Sequence, residues 1–305
     1  MNDTPRQSET ILKAQSRGLG RGVSVRAILF VALFLCAFAS FADTLRFIAL
    51  RREVIVQRLH ACPRKNADRE AQIQDYFTQS GCSGTALALD QPKHSSLGNV
   101  VCTLPGSSPQ QIVVGAHFDH VSAGMGAIDN WSGASLLPSL YEALASHPRK
   151  HTFVFIAFYG EEDGLVGSSH YVHELGKEKL AQIDAMVNMD SLGTGSTEVW
   201  VSHADPRLIN MALMISRSLN LPLSGMNVER VGSTDSESFR EKKVPTICFH
   251  ALTQATLPLL HSSQDQLSKI NEDDYYASYR LIAAYLTYLD AAVPDRSGNP
   301  GSRSQ

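Results

Sequence analysis

Gln111 to Gly133, QIVVGAHFDHVSAGMGAIDNWSG, is the stretch from which the rest of this chain is read. It opens with Ile112-Val113-Val114, a short β-branched apolar run of the kind that forms a buried strand. His117 and Asp119 follow, two apart. In an extended segment such residues leave the same face, so a carboxylate sits behind an imidazole whose other nitrogen is free for a metal. A glycine-rich loop (Gly124, Gly126) then delivers Asp129, Asn130 and Gly133. Open α/β folds place their sites on loops leaving the carboxyl ends of strands. A strand whose polar end dips into solvent would carry the same residues, so the neighbouring segments must separate the two readings.

Outward from this stretch, strand and helix patterns alternate. Gly98–Leu104 reads as a strand, and so do His151–Tyr159 (HTFVFIAFY), Ile183–Met189, Thr197–Val201 and Thr246–Phe249. The nearly continuous apolar runs among them have the pattern of strands buried on both faces. Asn66–Gly81, Ser132–Ser146, Val166–Leu180, Pro206–Leu219 and Glu272–Ala292 read as helices. The expected fold is a three-layer α/β/α domain over residues 43–292, with a mostly parallel central sheet. Residues 44–97 add little to the reading of the site.

The chain has 305 residues, 43% hydrophobic and 19% charged, which suits one globular domain with a large core. Its formal net charge of -3 carries no basic signature of nucleic-acid binding. Residues 1–26 form a basic polar lead, and 27–42, AILFVALFLCAFASFA, are an uncharged apolar run. A membrane span needs about 20 apolar residues, so the run suits a signal segment or an uncleaved anchor. Either implies export to the periplasm or exterior, the anchor with a membrane tether. Residues 293–305 read as a disordered tail. In an oxidising compartment Cys62 and Cys82, which flank one helix, are the expected disulfide. Cys102 and Cys248, in apolar strands, are expected to be buried thiols.

Four strand ends carry ligand-type residues: His117 with Asp129, then Glu161-Glu162, Asp190, and His261 in HSSQD. Each alone has an ordinary explanation: a solvated acidic loop for the glutamates, a turn for Asp190, a helix cap for His261. Together they would collect two imidazoles and several carboxylates at one sheet edge. Such a charge cluster needs cations to stay ionised, and mixed His and carboxylate ligands suit zinc. One metal takes three protein ligands plus water, so the inventory fits two metals sharing a carboxylate. The histidines at 60, 94, 147, 151, 170, 173 and 203 read as surface or loop residues. His250 reads as structural, and His120 has no partner motif.

The order HxD, DN-x-x-G, EE, D, H-[ST]-x-x-D resembles the zinc exopeptidases of metallopeptidase family twenty-eight over roughly residues 98–292. The resemblance implies an eight-stranded sheet and two Zn2+ per chain. It implies that His117 and Asp190 hold one ion, Glu162 and His261 the other, and that Asp129 bridges them. Glu161 matches the family's general base, and Asp119 its carboxylate behind His117. The implied activity is hydrolysis of peptide substrates, most closely that of an aminopeptidase. The family's glutaminyl cyclase branch, a single-zinc acyltransferase, is the alternative, followed by an inert binding domain of the same fold. Two departures stand out: STDSESF, with Asp235 and Phe239, has Ser236 where the family has His, and Trp131 is bulkier than the residue usual after DN.

Overall fold

The computed structural model describes residues 7–12, 45–228 and 232–294, the first group by backbone only. The apolar run 27–42, most of the basic lead and residues 295–305 lie outside the described residues. The strands are β1 (Gln7–Leu12), β2 (Leu45–Leu50), β3 (Leu87–Asp90), β4 (Asn99–Leu104), β5 (Gln111–His117), β6 (Thr152–Phe158), β7 (Ile183–Met189), β8 (Thr197–Val199), β9 (Leu223–Gly225) and β10 (Thr246–His250). The helices are α1 (Arg52–His60), α2 (Asn66–Gln79), α3 (Ser132–Ala134), α4 (Leu137–Ala145), α5 (Val166–Leu180), α6 (Pro206–Leu219), α7 (Ser236–Glu241) and α8 (Glu272–Ala292).

Eight strands form one sheet in the order β3-β4-β6-β5-β7-β10-β8-β9, and β1 pairs antiparallel with β2 beside it. The four central strands, β6, β5, β7 and β10, are parallel. The edges turn antiparallel, at β3/β4/β6 on one side and at β10/β8 on the other. The expected parallel character therefore belongs to the middle of the sheet. There the strands are apolar on both faces, as burial between two helical layers requires.

One sheet face presents Ile112, Val114, Phe153, Phe155 and Val187 to α1, α2, α4, α6 and α8. The other presents Val113, Val154, Ile156 and Met186 to α5 and α7. Asn271 caps α8 by accepting from the backbone N–H groups of Asp273 and Asp274, and Asp205 caps α6 through Arg207 N–H. The helix expected over Ser132–Ser146 starts afresh at α4, where Pro138 in the first turn supplies no N–H. Among the described residues α8 is the longest helix, and no described helix is long and apolar enough to cross a membrane.

The cysteine pairing differs from expectation. Cys82 is bonded to Cys102, with Cα atoms 6.4 Å apart, and Cys62 and Cys248 are free. The reason is geometric: Cys62 and Cys82 lie at opposite ends of α2, and a 14-residue helix spans roughly 21 Å. That exceeds any disulfide reach. Cys102, on β4, passes beneath the carboxyl end of the helix instead.

Candidate metal centre

Because β5, β6, β7 and β10 are parallel, their carboxyl ends share one edge of the sheet, and the six ligand-type residues His117, Asp129, Glu161, Glu162, Asp190 and His261 are gathered there. His117 is the last residue of β5. Asp129 lies in the turn Ala127–Trp131, Glu161-Glu162 follow β6 after Gly160, Asp190 follows β7, and His261 comes from the loop after β10. Three groups have ligand atoms within 4.8 Å of one another: His117–Asp129–Asp190, Asp129–Glu162–His261 and His117–Glu161–Glu162.

Asp129 stands between two imidazoles. Its Oδ1 is 3.2 Å from His117 Nε2 and its Oδ2 is 3.2 Å from His261 Nε2. Asp190 Oδ1 lies 3.7 Å from His117 Nε2, and Glu162 Oε2 lies 3.0 Å from His261 Nε2. His117 is 1% exposed and Asp129 7%, whereas the His261 side chain is 52% exposed at the rim.

Asp119 does two things. Its carboxylate lies 3.7 Å from His117 Nδ1, and its own carbonyl oxygen is 3.2 Å from that nitrogen. Its two carboxylate oxygens also accept the N–H groups of Glu161 and Glu162, each at 3.2 Å. The residue thus fixes both an imidazole and the acidic loop. Asn130 plays a similar part. It donates to Met189 O at 2.9 Å and accepts from Gly133 N and Ser191 N, tying the Asp129 turn to the end of β7. Position 133 admits only glycine, since a Cβ there would meet Asn130 Oδ1 at 2.6 Å and Met189 O at 2.7 Å. Thr234, from the STDSESF stretch, donates to Asp190 Oδ2 at 2.7 Å.

The electrostatics follow from the excess of carboxylates. Burial, together with the charges of Asp190, Asp235 and Asp129, pushes the Glu161 carboxyl up to about 10, although His117 pulls the other way. Burial and Asp129 raise Glu162 to about 7. Asp129 is held below the usual carboxylate range: burial opposes this, and hydrogen bonds from His117 and His261 outweigh it. Bonding to Asp129 lifts His261 to about 9. His117 is raised despite its burial, by Glu161, Asp119, Asp129 and Asp190.

The donor set fits a metal. Buried Glu162 Oε1 has no hydrogen-bond partner, and buried His117 Nε2 faces carboxylate oxygens of Asp129 at 3.2 Å and Asp190 at 3.7 Å; both atoms belong to the groups just described. Unpaired buried polar atoms are costly, and a cation between carboxylates and imidazoles would satisfy both. Two imidazoles with carboxylates are zinc-type ligands.

A cleft opens beside the cluster, lined by Trp200, Val228, Cys248, His250, Leu252 and Leu260 as well as by Asp129, Glu161, Glu162, Asp190 and His261. His250, expected to be structural, does line it. Its Nδ1 accepts from Leu252 N at 3.1 Å, and burial pushes it down to about 4, so it stays neutral. Asp235 is fully buried at the start of α7, and Phe239 packs on Phe158. His151, expected at the surface, is fully buried at the opposite edge of the sheet. Trp131 donates through Nε1 to Arg58 O and Leu59 O, so its bulk is accommodated by α1.

Comparison with known proteins gives the family. The family model of peptidase family M28 matches residues 99–286, and the chain belongs to that family. Aminopeptidase YwaD of Bacillus subtilis is 30% identical over 184 residues, 58% of this chain and 40% of that protein. Among solved structures, the LapA aminopeptidase of Legionella pneumophila superposes with a TM-score of 0.69 at 23% identity, covering 80% of this chain and 72% of that one. A zinc aminopeptidase from Bacillus subtilis gives 0.57 at 26% identity, covering 62% and 49%. A glutaminyl cyclase from an Acidobacteriales bacterium gives 0.62 at 18% identity, covering 79% and 93%. The chain spans about half or less of the length of the curated relatives it matches, YwaD among them.

Proposed function

We propose that this chain is a zinc-dependent exopeptidase, specifically an aminopeptidase working with two zinc ions. The observation that carries the reading is Asp129, whose two oxygens each face a different imidazole at 3.2 Å. His117 and Asp190 would hold one ion, Glu162 and His261 the other, with Asp129 shared. Zinc, when bound, supplies Lewis acidity: it polarises a carbonyl and lowers the pKa of water from ~15.7 toward ~7.

The remaining work falls to the chain itself. Glu161 is adjacent to the ligands yet outside the two groups built on Asp129. Cationic charge beside it favours its ionised form, in which it takes a proton from the attacking water and returns it to the leaving amine. Asp119 keeps the His117 ring and the Glu161-Glu162 backbone in register. The cleft receives the substrate's terminal residue among apolar side chains. The amino-terminal direction of attack is supported by relatives named aminopeptidases.

The test is to identify peptide cleavage products by mass while counting zinc on the same sample. Single-residue release from the amino terminus with two zinc ions is expected. One zinc, with ammonia released from peptides that begin with glutamine, would favour the cyclase reading that the shared fold keeps open. No zinc and no turnover would return the inert binding domain. Export is proposed alongside, supported by the apolar run 27–42 and the Cys82–Cys102 bond. A reporter active only in the cytoplasm, fused after Ala292, should be silent.

A further inference from the structure

Arg69 belongs to α2, in the part of the chain that carries none of the ligands, yet it is fully buried. Its acceptors are carbonyl oxygens and one thiol. Nε donates to Pro63 O at 2.9 Å and Nη1 to Phe118 O at 2.9 Å. Nη2 donates to Gly126 O at 3.0 Å, to Met125 O, and to Cys62 Sγ at 3.3 Å. The guanidinium also lies 5.6 Å from the Trp131 ring. Phe118, Met125 and Gly126 are the two ends of the loop that connects His117 to Asp129. Asp265 meets the same loop with the opposite charge. Its carboxylate accepts Ile128 N at 2.7 Å and Asp129 N at 3.2 Å, and its carbonyl accepts Met125 N at 2.7 Å.

We infer that Arg69 and Asp265 form a charge-matched clamp on the loop Phe118–Asp129, and that Arg69 is a positioning residue that sets where the Asp129 carboxylate stands between His117 and His261. The loop turns carbonyls to the cation and amides to the anion, so each buried charge is compensated by backbone dipoles rather than by a direct ion pair. Five fixed donors suit several diverging carbonyls, which an ammonium does not match. Gly126 belongs to the same device: at φ +58° it presents its carbonyl to Arg69, and a Cβ there would meet His120 Cβ at 2.3 Å. The inference rests on Asp129 as shared ligand.

The test uses the full chain with Arg69→Lys and Arg69→Ala, stripped of metal and titrated with zinc against a chelating indicator. Circular dichroism and melting of the metal-free proteins are recorded in parallel. Partners that orient ligands are worth about 10–100-fold in metal affinity, and a weakening of that size is expected in both folded variants. kcat should fall with it while peptide KM changes little, and millimolar guanidinium should restore part of the zinc affinity of Arg69→Ala. Wild-type zinc affinity in the folded variants would overturn the clamp. So would a lowered metal-free melting temperature with unchanged zinc affinity and no guanidinium rescue, since that is the behaviour of a merely structural arginine. If the wild type itself takes up no zinc, the metal reading fails and the clamp's role with it; a failure confined to the variants refutes the clamp alone.

Discussion

The two edges of the central sheet carry the same residue types to opposite ends. At the carboxyl edge, two imidazoles meet the five carboxylates of Asp119, Asp129, Glu161, Glu162 and Asp190, and buried Glu162 Oε1 is left without a hydrogen-bond partner. At the amino edge, the buried His151 ring lies between two carboxylates, with Nε2 3.4 Å from Asp184 Oδ2 and Nδ1 3.1 Å from Asp290 Oδ1. There the charges are compensated locally. Asp290, in the last turn of α8, also accepts the N–H of His151 at 2.7 Å and of Lys150 at 3.0 Å, and Gln110 Nε2 approaches Asp184. The first cluster carries an excess of carboxylates that suits a cation, and the second balances its charges locally and fastens α8 to β6 and β7. Histidine next to aspartate therefore says little by itself; the balance of charge, with five carboxylates to two imidazoles at one end and two to one at the other, separates a site from a clasp.

The largest expected effect tests the carboxyl edge. Asp129→Ala should abolish both zinc sites and activity together, a greater loss than His117→Ala or His261→Ala, each of which weakens one ion more than the other. Zinc counting on the three variants decides it, and full zinc content in Asp129→Ala would remove the shared ligand from the scheme. Next comes the division of labour between two neighbours. Glu161→Gln should keep both metals and the peptide KM while kcat falls at least 10²–10⁴-fold, roughly 3–5 kcal/mol of barrier. Glu162→Gln should lose zinc instead, and exchanged phenotypes would exchange the roles.

The amino edge should respond in stability and not in chemistry. Burial alone would lower His151, but bonds to Asp184 and Asp290 outweigh it and push the imidazole up to about 9. Its contribution is therefore fully present below pH ~6.5, the ordinary histidine value, and is lost as pH rises through about 9. His151→Gln should lower unfolding free energy by about 3 kcal/mol near neutral pH, with kcat per folded molecule unchanged. It should also flatten the alkaline fall in melting temperature; an undiminished fall would assign that titration to another group. The covalent tie gives an effect of similar size, again in stability alone. Reducing Cys82–Cys102, or replacing both with Ser, should cost about 3 kcal/mol for a loop of 20 residues, read by urea unfolding. Peptide mapping without reductant should find Cys62 alkylated.

The sequence by itself determined the central strands and the ligand-type side chains that cluster at their ends. Ile112–Val114, Phe153–Phe158 and Ile183–Met189 are uninterrupted apolar runs because both faces of a parallel sheet are covered. Their carboxyl ends must share an edge, so His117, Glu161, Glu162 and Asp190 were bound to meet once the strands were recognised as parallel. His261 and Asp129 were legible through the spacing of their motifs. A faint signal of Arg69 was present as well: with Ile73, Tyr76 and Phe77 it occupies the buried stripe of α2, where a charge is out of pattern. What it grips was not legible. The antiparallel edges, the partner of Cys82, the burial of His151 and the hold of Arg69 on the Asp129 loop were decided only by the tertiary structure. Periodicity and motif spacing report on neighbours along the chain, whereas these features depend on which distant segments meet: α2 over β4, α8 over β6, and α2 against the loop after β5.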